Sequence, residues 1–198
     1  WPSSPDDCMK QSARTFIAVE MDESVLGSAA RLMRDLAKSQ ADVKWVDSHN
    51  LHLTLKFLGE VPLEEIHAVC KAVERAAAGI EPFRLDLVGI GAFPNINRPR
   101  TLWLGADEGQ VAMAALQQAV EHSLKKLGYR PEGRKFKTHL TLGRVRRAGP
   151  GVARLTELLS QYASFQAGAT VVEEVTVFAS ELTPEGPVYS VLSRAPLG

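Results

Sequence analysis

The sequence predicts an α+β fold: two pseudo-symmetric lobes with mainly antiparallel sheets around a central cleft, and helices on the outside. Three observations lead there. Strand-like and helix-like segments interleave, yet several strand-like segments follow one another with no helix between them, which disfavours a doubly wound parallel sheet. The tetrapeptide HLTL occurs twice, and its histidines, His52 and His139, lie 139 − 52 = 87 residues apart, close to half of the 198-residue chain. A content of 45% hydrophobic residues, with 15 Gly and 11 Pro, suits one compact unit, and a single bilobal domain is expected over residues 13–198.

The elements follow in order. Arg14 to Met21 alternates well enough for a strand. From Ser24 to about Lys38, the recurrence of Val25, Ala29, Leu32, Met33 and Leu36 predicts a helix, with Asp22 or Ser24 available as a cap. Lys44 to Val46 is a short strand. His52 to Leu58 alternates strictly at first and stops at Gly59, the pattern of another strand. Pro62 opens a helix to about Ala78, with Glu64 and Glu65 in its first turn and Gly79 at the stop. Phe83 to Ile90 and Thr101 to Ala106 are strands around a loop from Phe93 to Pro99. Gly109 to Leu127 is a helix, Tyr129 to Lys135 a turn-rich loop, Thr138 to Val145 a strand and Val152 to about Tyr162 a helix. Thr170 to Ala179 and Val188 to Arg194 are expected to be strands that close the second sheet.

Composition narrows the function. No apolar run reaches the roughly 18–20 residues that span a bilayer. Residues 1–12 are turn-prone, carry no charged segment leading into an apolar one, and are expected to be a loose tail or a vector remnant. Cys8 and Cys70 are too few for a disulfide framework; Cys70 falls in the stripe Leu63, Ile66, Cys70 and Val73, so a buried thiol is expected, in a monomer of the cytoplasm. The 23 Lys and Arg balance 23 Asp and Glu, so any grip on phosphate must be local.

In a strand, residues i and i+2 share a face. His52 and Thr54 therefore project together, with Leu53, Leu55 and Phe57 directed to the core; His139 and Thr141 do the same, backed by Leu140 and Leu142. A single His-x-Thr is most simply a solvated strand face. Two copies at half-chain spacing instead place two imidazoles and two hydroxyls at one cleft if the lobes face each other. That set suits a cyclic phosphodiester: one His activates water, the other protonates the departing ribose oxygen, and the Thr hydroxyls hold the non-bridging oxygens. No metal and no cofactor is called for, since each strand supplies one His and no acid lies within the motifs, whereas a catalytic zinc usually takes three protein ligands.

Arg134, Lys135, Lys137, Arg144, Arg146 and Arg147 form a basic run with no intervening acid, either a solvated edge or an anion-attracting wall. Lys56 shares the parity of His52 and Thr54 and is a candidate to face the ligand. Strict alternation puts Arg144 on the apolar side, unless a bulge at Gly143 turns it into the cleft. His49, His67 and His122 read as ordinary surface or stripe-edge residues. Phe16, Phe93 and Trp103 read first as core, with Phe93 the best candidate for stacking on a base.

At these residues the sequence resembles the 2H phosphoesterases, and within them the RNA 2′,3′-cyclic phosphodiesterases first known as 2′-5′ RNA ligases. The matching stretches are RTFIAVE, WVDSHNLHLTLKFLGEV, GAFPNINRPRTLWLG, FKTHLTLGRV and SELTPEGPVYSVL. The resemblance implies a pseudo-twofold relation between lobes, and hydrolysis of a terminal 2′,3′-cyclic phosphate to a 2′-phosphate on RNA such as tRNA-like fragments. It also implies a reverse reaction able to form a 2′-5′ linkage. It implies His52 as proton donor and His139 as acceptor, with Thr54 and Thr141 on the phosphate and Arg144 in the cleft; the two histidine labels are exchangeable. A phosphodiesterase for small cyclic nucleotides and a non-catalytic nucleotide- or RNA-binding module are the competing readings.

Overall fold

The computed structural model describes residues 11–198; the expectations for Trp1, Cys8 and the rest of residues 1–10 lie outside it. The chain order is β1 (Ser12–Glu20), α1 (Glu23–Ala37), β2 (Val43–Trp45), β3 (His52–Pro62), α2 (Leu63–Ala77), β4 (Phe83–Asn95), β5 (Arg98–Ala106), α3 (Gln110–Lys125), β6 (Leu140–Val145), α4 (Gly151–Gln161), β7 (Gln166–Val172), β8 (Glu174–Thr183) and β9 (Gly186–Pro196). Residues 11 and 12, expected in the tail, belong to the fold: Ser12 pairs with Pro62, and the Gln11 carbonyl accepts the Leu63 N–H.

Two antiparallel sheets result, one in the order β3-β1-β8-β9 and one in the order β2-β6-β5-β4-β7. The α1 stripe Val25, Ala29, Leu32, Met33 and Leu36 is buried as its spacing predicts. In α2 the buried set is Val69, Cys70, Ala72, Val73, Ala76 and Ala77, while Leu63 is exposed, so the apolar face starts a turn later than expected. Together with α3 and α4 these helices close one continuous core that includes strand residues of both sheets, among them Leu53, Leu55, Leu102, Leu104, Leu140 and Leu142.

Two sequence expectations need correction. Thr170 to Ala179 is not one strand. The run divides at Glu173 into β7, in the second sheet, and β8, in the first. The run contains no Gly, Pro, Asn or Asp to signal a turn, so local pattern cannot reveal the change of sheet. For the same reason β8 and β9 do not close the second sheet; they extend the first beside β1. Conversely β4, from the first half of the chain, sits between β5 and β7 in the second sheet. The chain halves therefore lend strands to each other.

Candidate active site

The two sheets meet along β3 and β6, whose Cα atoms come within 8 Å of one another. The two HLTL segments are thus neighbours in space. His52 sits at the start of β3, opposite Glu20 of β1; two residues on, Thr54 lies opposite Ala18. In the other sheet Thr141 of β6 lies opposite Trp103 of β5, and His139 immediately precedes β6. All four side chains are half-buried, with Leu53, Leu55, Leu140 and Leu142 fully inside.

The imidazoles are held in the same way. His52 Nδ1 lies 2.7 Å from the Asn50 carbonyl, and His139 Nδ1 lies 2.7 Å from the Lys137 carbonyl, each two residues back. A carbonyl only accepts, so each Nδ1 carries a proton and each neutral ring presents its Nε2 lone pair outward. Asn50 is itself fixed by its side-chain donation to the Pro187 carbonyl.

Their surroundings differ. Burial pushes the pKa of both rings down. Around His52 the Glu20 carboxylate acts in the opposite sense, favouring the imidazolium; that carboxylate also accepts from Thr176 and pairs with Arg194. Around His139 the Lys137 and Arg144 cations push the pKa further down. Aromatic rings seat each imidazole: Phe16 stacks on His52 at 4.7 Å and Tyr189 meets it edge-on at 5.3 Å, while Phe93 meets His139 edge-on at 5.1 Å. Lys137 Nζ lies 4.0 Å from the Trp103 ring centroid.

The sequence placed His52, Thr54, His139 and Thr141 by two-residue alternation, and that alternation holds only as far as a bulge. Between Thr54 and Lys56 the strand advances two residues while β1 advances one, from Ala18 to Ile17. The side-chain parity reverses there. Lys56 consequently does not face the cleft; it is buried, with Nζ 2.9 Å from Glu121 Oε2 and 2.8 Å from the Arg130 carbonyl. Phe57, expected in the core, comes out on the His52 face opposite Phe16 and is 60% exposed. The same irregularity recurs between Thr141 and Gly143, where β5 advances only from Trp103 to Leu102. It leaves Arg144 exposed and close enough to act on His139. Phe93 belongs to strand β4 rather than to a loop. Phe16 and Trp103 are absent from the main core: Phe16 forms a small separate cluster with Ala18 and Phe178 on the open face of the first sheet, and Trp103 is half-buried beside His139. His49, His67 and His122 are exposed. Among the described residues no group of three or more His, Cys, Asp or Glu side chains is placed to hold a metal ion, and no helix is long and apolar enough to cross a membrane.

The repeated geometry has a counterpart in comparison with known families. The model of LigT-like phosphoesterases matches the chain twice, over residues 19–103 and 104–189. The chain belongs to the LigT-like phosphoesterase family. It is 37% identical over 178 residues to the RNA 2′,3′-cyclic phosphodiesterase of Methanothermobacter thermautotrophicus, covering 89% of this chain and 95% of that protein. It is 36% identical over 187 residues to the protein of the same name from Thermus thermophilus, covering 91% and 88%. Among solved structures, a Thermus thermophilus protein superposes with a TM-score of 0.77 at 31% identity, covering 93% of this chain and 97% of that one. E. coli LigT complexed with 3′-AMP superposes with a TM-score of 0.73 at 25% identity, covering 94% and 99%.

Proposed function

We propose that this LigT-like phosphoesterase opens 2′,3′-cyclic phosphate ends of RNA to 2′-phosphates by metal-independent acid–base catalysis, with His52 as proton donor and His139 as proton acceptor. The observation that carries the reading is the duplicated imidazole seat: two His-x-Thr segments on adjoining strands, each ring latched through Nδ1 to the carbonyl two residues back, each Nε2 left to exchange a proton. The relatives' shared activity name supports the substrate class.

In the forward step His139 Nε2 takes a proton from water as its oxygen bonds to phosphorus. Opposite the attacking oxygen, the bond from phosphorus to the ribose 3′ oxygen breaks, and protonated His52 supplies the proton that oxygen needs. The 2′ ester bond remains. Thr54 and Thr141 hydroxyls donate to the non-bridging oxygens, where charge is held as phosphorus becomes five-coordinate. Each positioned proton transfer is worth about 10²–10⁴-fold. The electrostatic asymmetry favours this assignment: Glu20 helps His52 keep a proton, whereas Lys137 and Arg144 keep His139 neutral. With a 5′ hydroxyl in place of water, His139 takes its proton as the 5′ oxygen bonds to phosphorus, the bond to the 3′ oxygen breaks with a proton from His52, and the retained 2′ ester becomes a 2′-5′ linkage. Both motifs come from one chain, so a monomer suffices.

The test is an RNA oligonucleotide ending in a 2′,3′-cyclic phosphate, incubated with chelator present, with the product phosphate located at the 2′ or 3′ oxygen. Production of the 2′-phosphate, lost in His52→Ala and in His139→Ala, is expected. A 3′-phosphate product would reverse the proposed leaving group, and dependence on an added metal would overturn the mechanism. Faster turnover of a small cyclic nucleotide than of the oligonucleotide would move the substrate away from RNA.

A further inference from the structure

Each imidazole is aimed by a backbone carbonyl, and the two carbonyls are held in different ways. The residue that latches His139 is anchored by its own side chain: Lys137 Nζ lies 4.0 Å from the Trp103 ring centroid and 5.5 Å from that of Phe93. Asn50, which latches His52, closes a single short turn, Ser48–Asn50, opened by the Asp47 carboxylate accepting from the His49 N–H at 2.9 Å. The Asn50 N–H reaches the Asp47 carbonyl at 2.8 Å. The peptide group that carries the Asn50 carbonyl is held less well, because its N–H, that of Leu51, meets the Ser48 carbonyl only at 3.4 Å, the long end of the hydrogen-bond range. The turn by itself leaves that carbonyl loosely aimed.

The missing constraint comes from the last hairpin of the chain. Asn50 Nδ2 donates to the Pro187 carbonyl at 3.1 Å, and since a carbonyl only accepts, this fixes which way the amide is turned. Pro187 lies beside the tip of the β8–β9 hairpin, where it pairs with Leu182 and where the Thr183 hydroxyl donates to the Gly186 carbonyl at 2.8 Å. By ladder position this tip belongs far from His52. His52 lies opposite Glu20, and Ala18, two residues before Glu20, pairs with Thr176. Leu182 is 182 − 176 = 6 residues further along β8, about 20 Å on a flat strand. The hairpin removes that distance by curling over the open face of the first sheet, and the register shift between Val177 and Phe178 gives the bend a place. Tyr189, two residues beyond Pro187, rests its ring 4.9 Å from Phe16 and 5.3 Å from His52.

We infer that Asn50 is the positioning residue of the proton donor: its side chain ties the peptide group that latches His52 to the β8–β9 hairpin, and so sets the direction in which His52 Nε2 points. The relay runs from the Pro187 carbonyl through the Asn50 amide and the Asn50 carbonyl to His52 Nδ1. Its function in turnover rests on the proposed reading of His52 as the acid. Asn50 touches no substrate atom in this scheme; it acts through the ring it aims. Without the tether the carbonyl swings, the ring follows, and the neutral imidazole is no longer confined to the form with its proton on Nδ1.

The experiment compares wild type with Asn50→Ala and with Asn50→Leu, the second keeping the bulk of the side chain while removing its donor. On an oligonucleotide ending in a 2′,3′-cyclic phosphate, kcat is expected to fall about tenfold to a hundredfold in both, the scale of a small misplacement of a catalytic group. KM should change little, as for a group needed in the transition state alone. Long-range 15N–1H spectra at about pH 8, above the ordinary imidazole pKa, supply the second readout. The Nε2-protonated form should appear at His52 in both variants, while His139 keeps its proton on Nδ1. A wild-type kcat in Asn50→Leu, or an unchanged His52 ring in both variants, would overturn the inference. Disturbance of both histidine rings together would overturn it as well, since it would mark a general loosening of the site. If the wild type opens no cyclic phosphate yet the His52 ring alone still responds to Asn50→Leu, the proposed reaction fails and the tether stands.

Discussion

His52 and His139 each trade solvent for a carbonyl partner and an aromatic seat, and burial moves the pH at which they titrate. Burial lowers both pKa values below the ordinary 6.5, and at His139 the neighbouring Lys137 and Arg144 lower it further. A bell-shaped kcat/KM profile reports the free enzyme: above both pKa values the acid has lost its proton, and below both the base has gained one. The maximum of kcat/KM is therefore expected on the acid side of pH 6.5. A bound phosphate anion favours both imidazolium forms, so the kcat optimum should lie at higher pH than that of kcat/KM. A profile flat from about pH 5 to 9 would remove the pair from the reaction. These two histidines and the two threonines were legible in the sequence because i and i+2 share a face up to the bulge. Lys56 and Phe57 lie one and two steps beyond it, and their parity was reversed by a backbone irregularity that no residue type announces.

At the level of elements, the charge that alternation assigned to the ligand turns out to tie a strand to a helix and a loop. Lys56 of β3 reaches Glu121 of α3 and the Arg130 carbonyl, and Glu121 Oε1 also receives the Glu132 N–H. The segment so pinned runs on to Lys137, whose carbonyl latches His139. Lys56→Met leaves a carboxylate almost out of water without its cation, and should lower stability by about 3 kcal/mol in urea unfolding. Adding Glu121→Leu should recover most of that loss; a single-variant loss below about 1 kcal/mol would mean water reaches the ammonium site. A second element-scale constraint is the β4–β5 crossing, where the Trp103 indole lies flat over Gly91, its register partner. Gly91→Ala would put a methyl into that ring and is expected to lower stability by about 1–3 kcal/mol. Because Trp103 and Phe93 flank His139, turnover should fall as well; unchanged turnover with the lowered stability would show that the rings are not what aims the imidazole.

For the molecule as a whole, helix faces and strand positions could be read from periodicity, while sheet membership could not. The α1 stripe was visible because its partners need only be apolar; β8 and β9 went astray because pairing between distant segments leaves no local mark. The outcome is a chain whose halves interleave: residues before the Asn95–Arg98 turn supply β3 and β1 to one sheet and β2 and β4 to the other, and residues after it supply the remainder of both. Fragments 1–96 and 97–198, expressed apart, should each fail to give a cooperative unfolding transition and should regain structure and turnover when mixed. An independently folded fragment would contradict the exchange of strands.

That interleaving also limits how a substrate can get in. Two bodies joined by a single hinge could swing apart, but here the chain crosses between the sheets after β1, β2, β3 and β7, and one core runs through both. With the connection before His139 pinned through Arg130 and Glu132, entry to the cleft is left to rotation of rim side chains. The spacing of the two imidazoles is accordingly built in at folding rather than assembled on encounter.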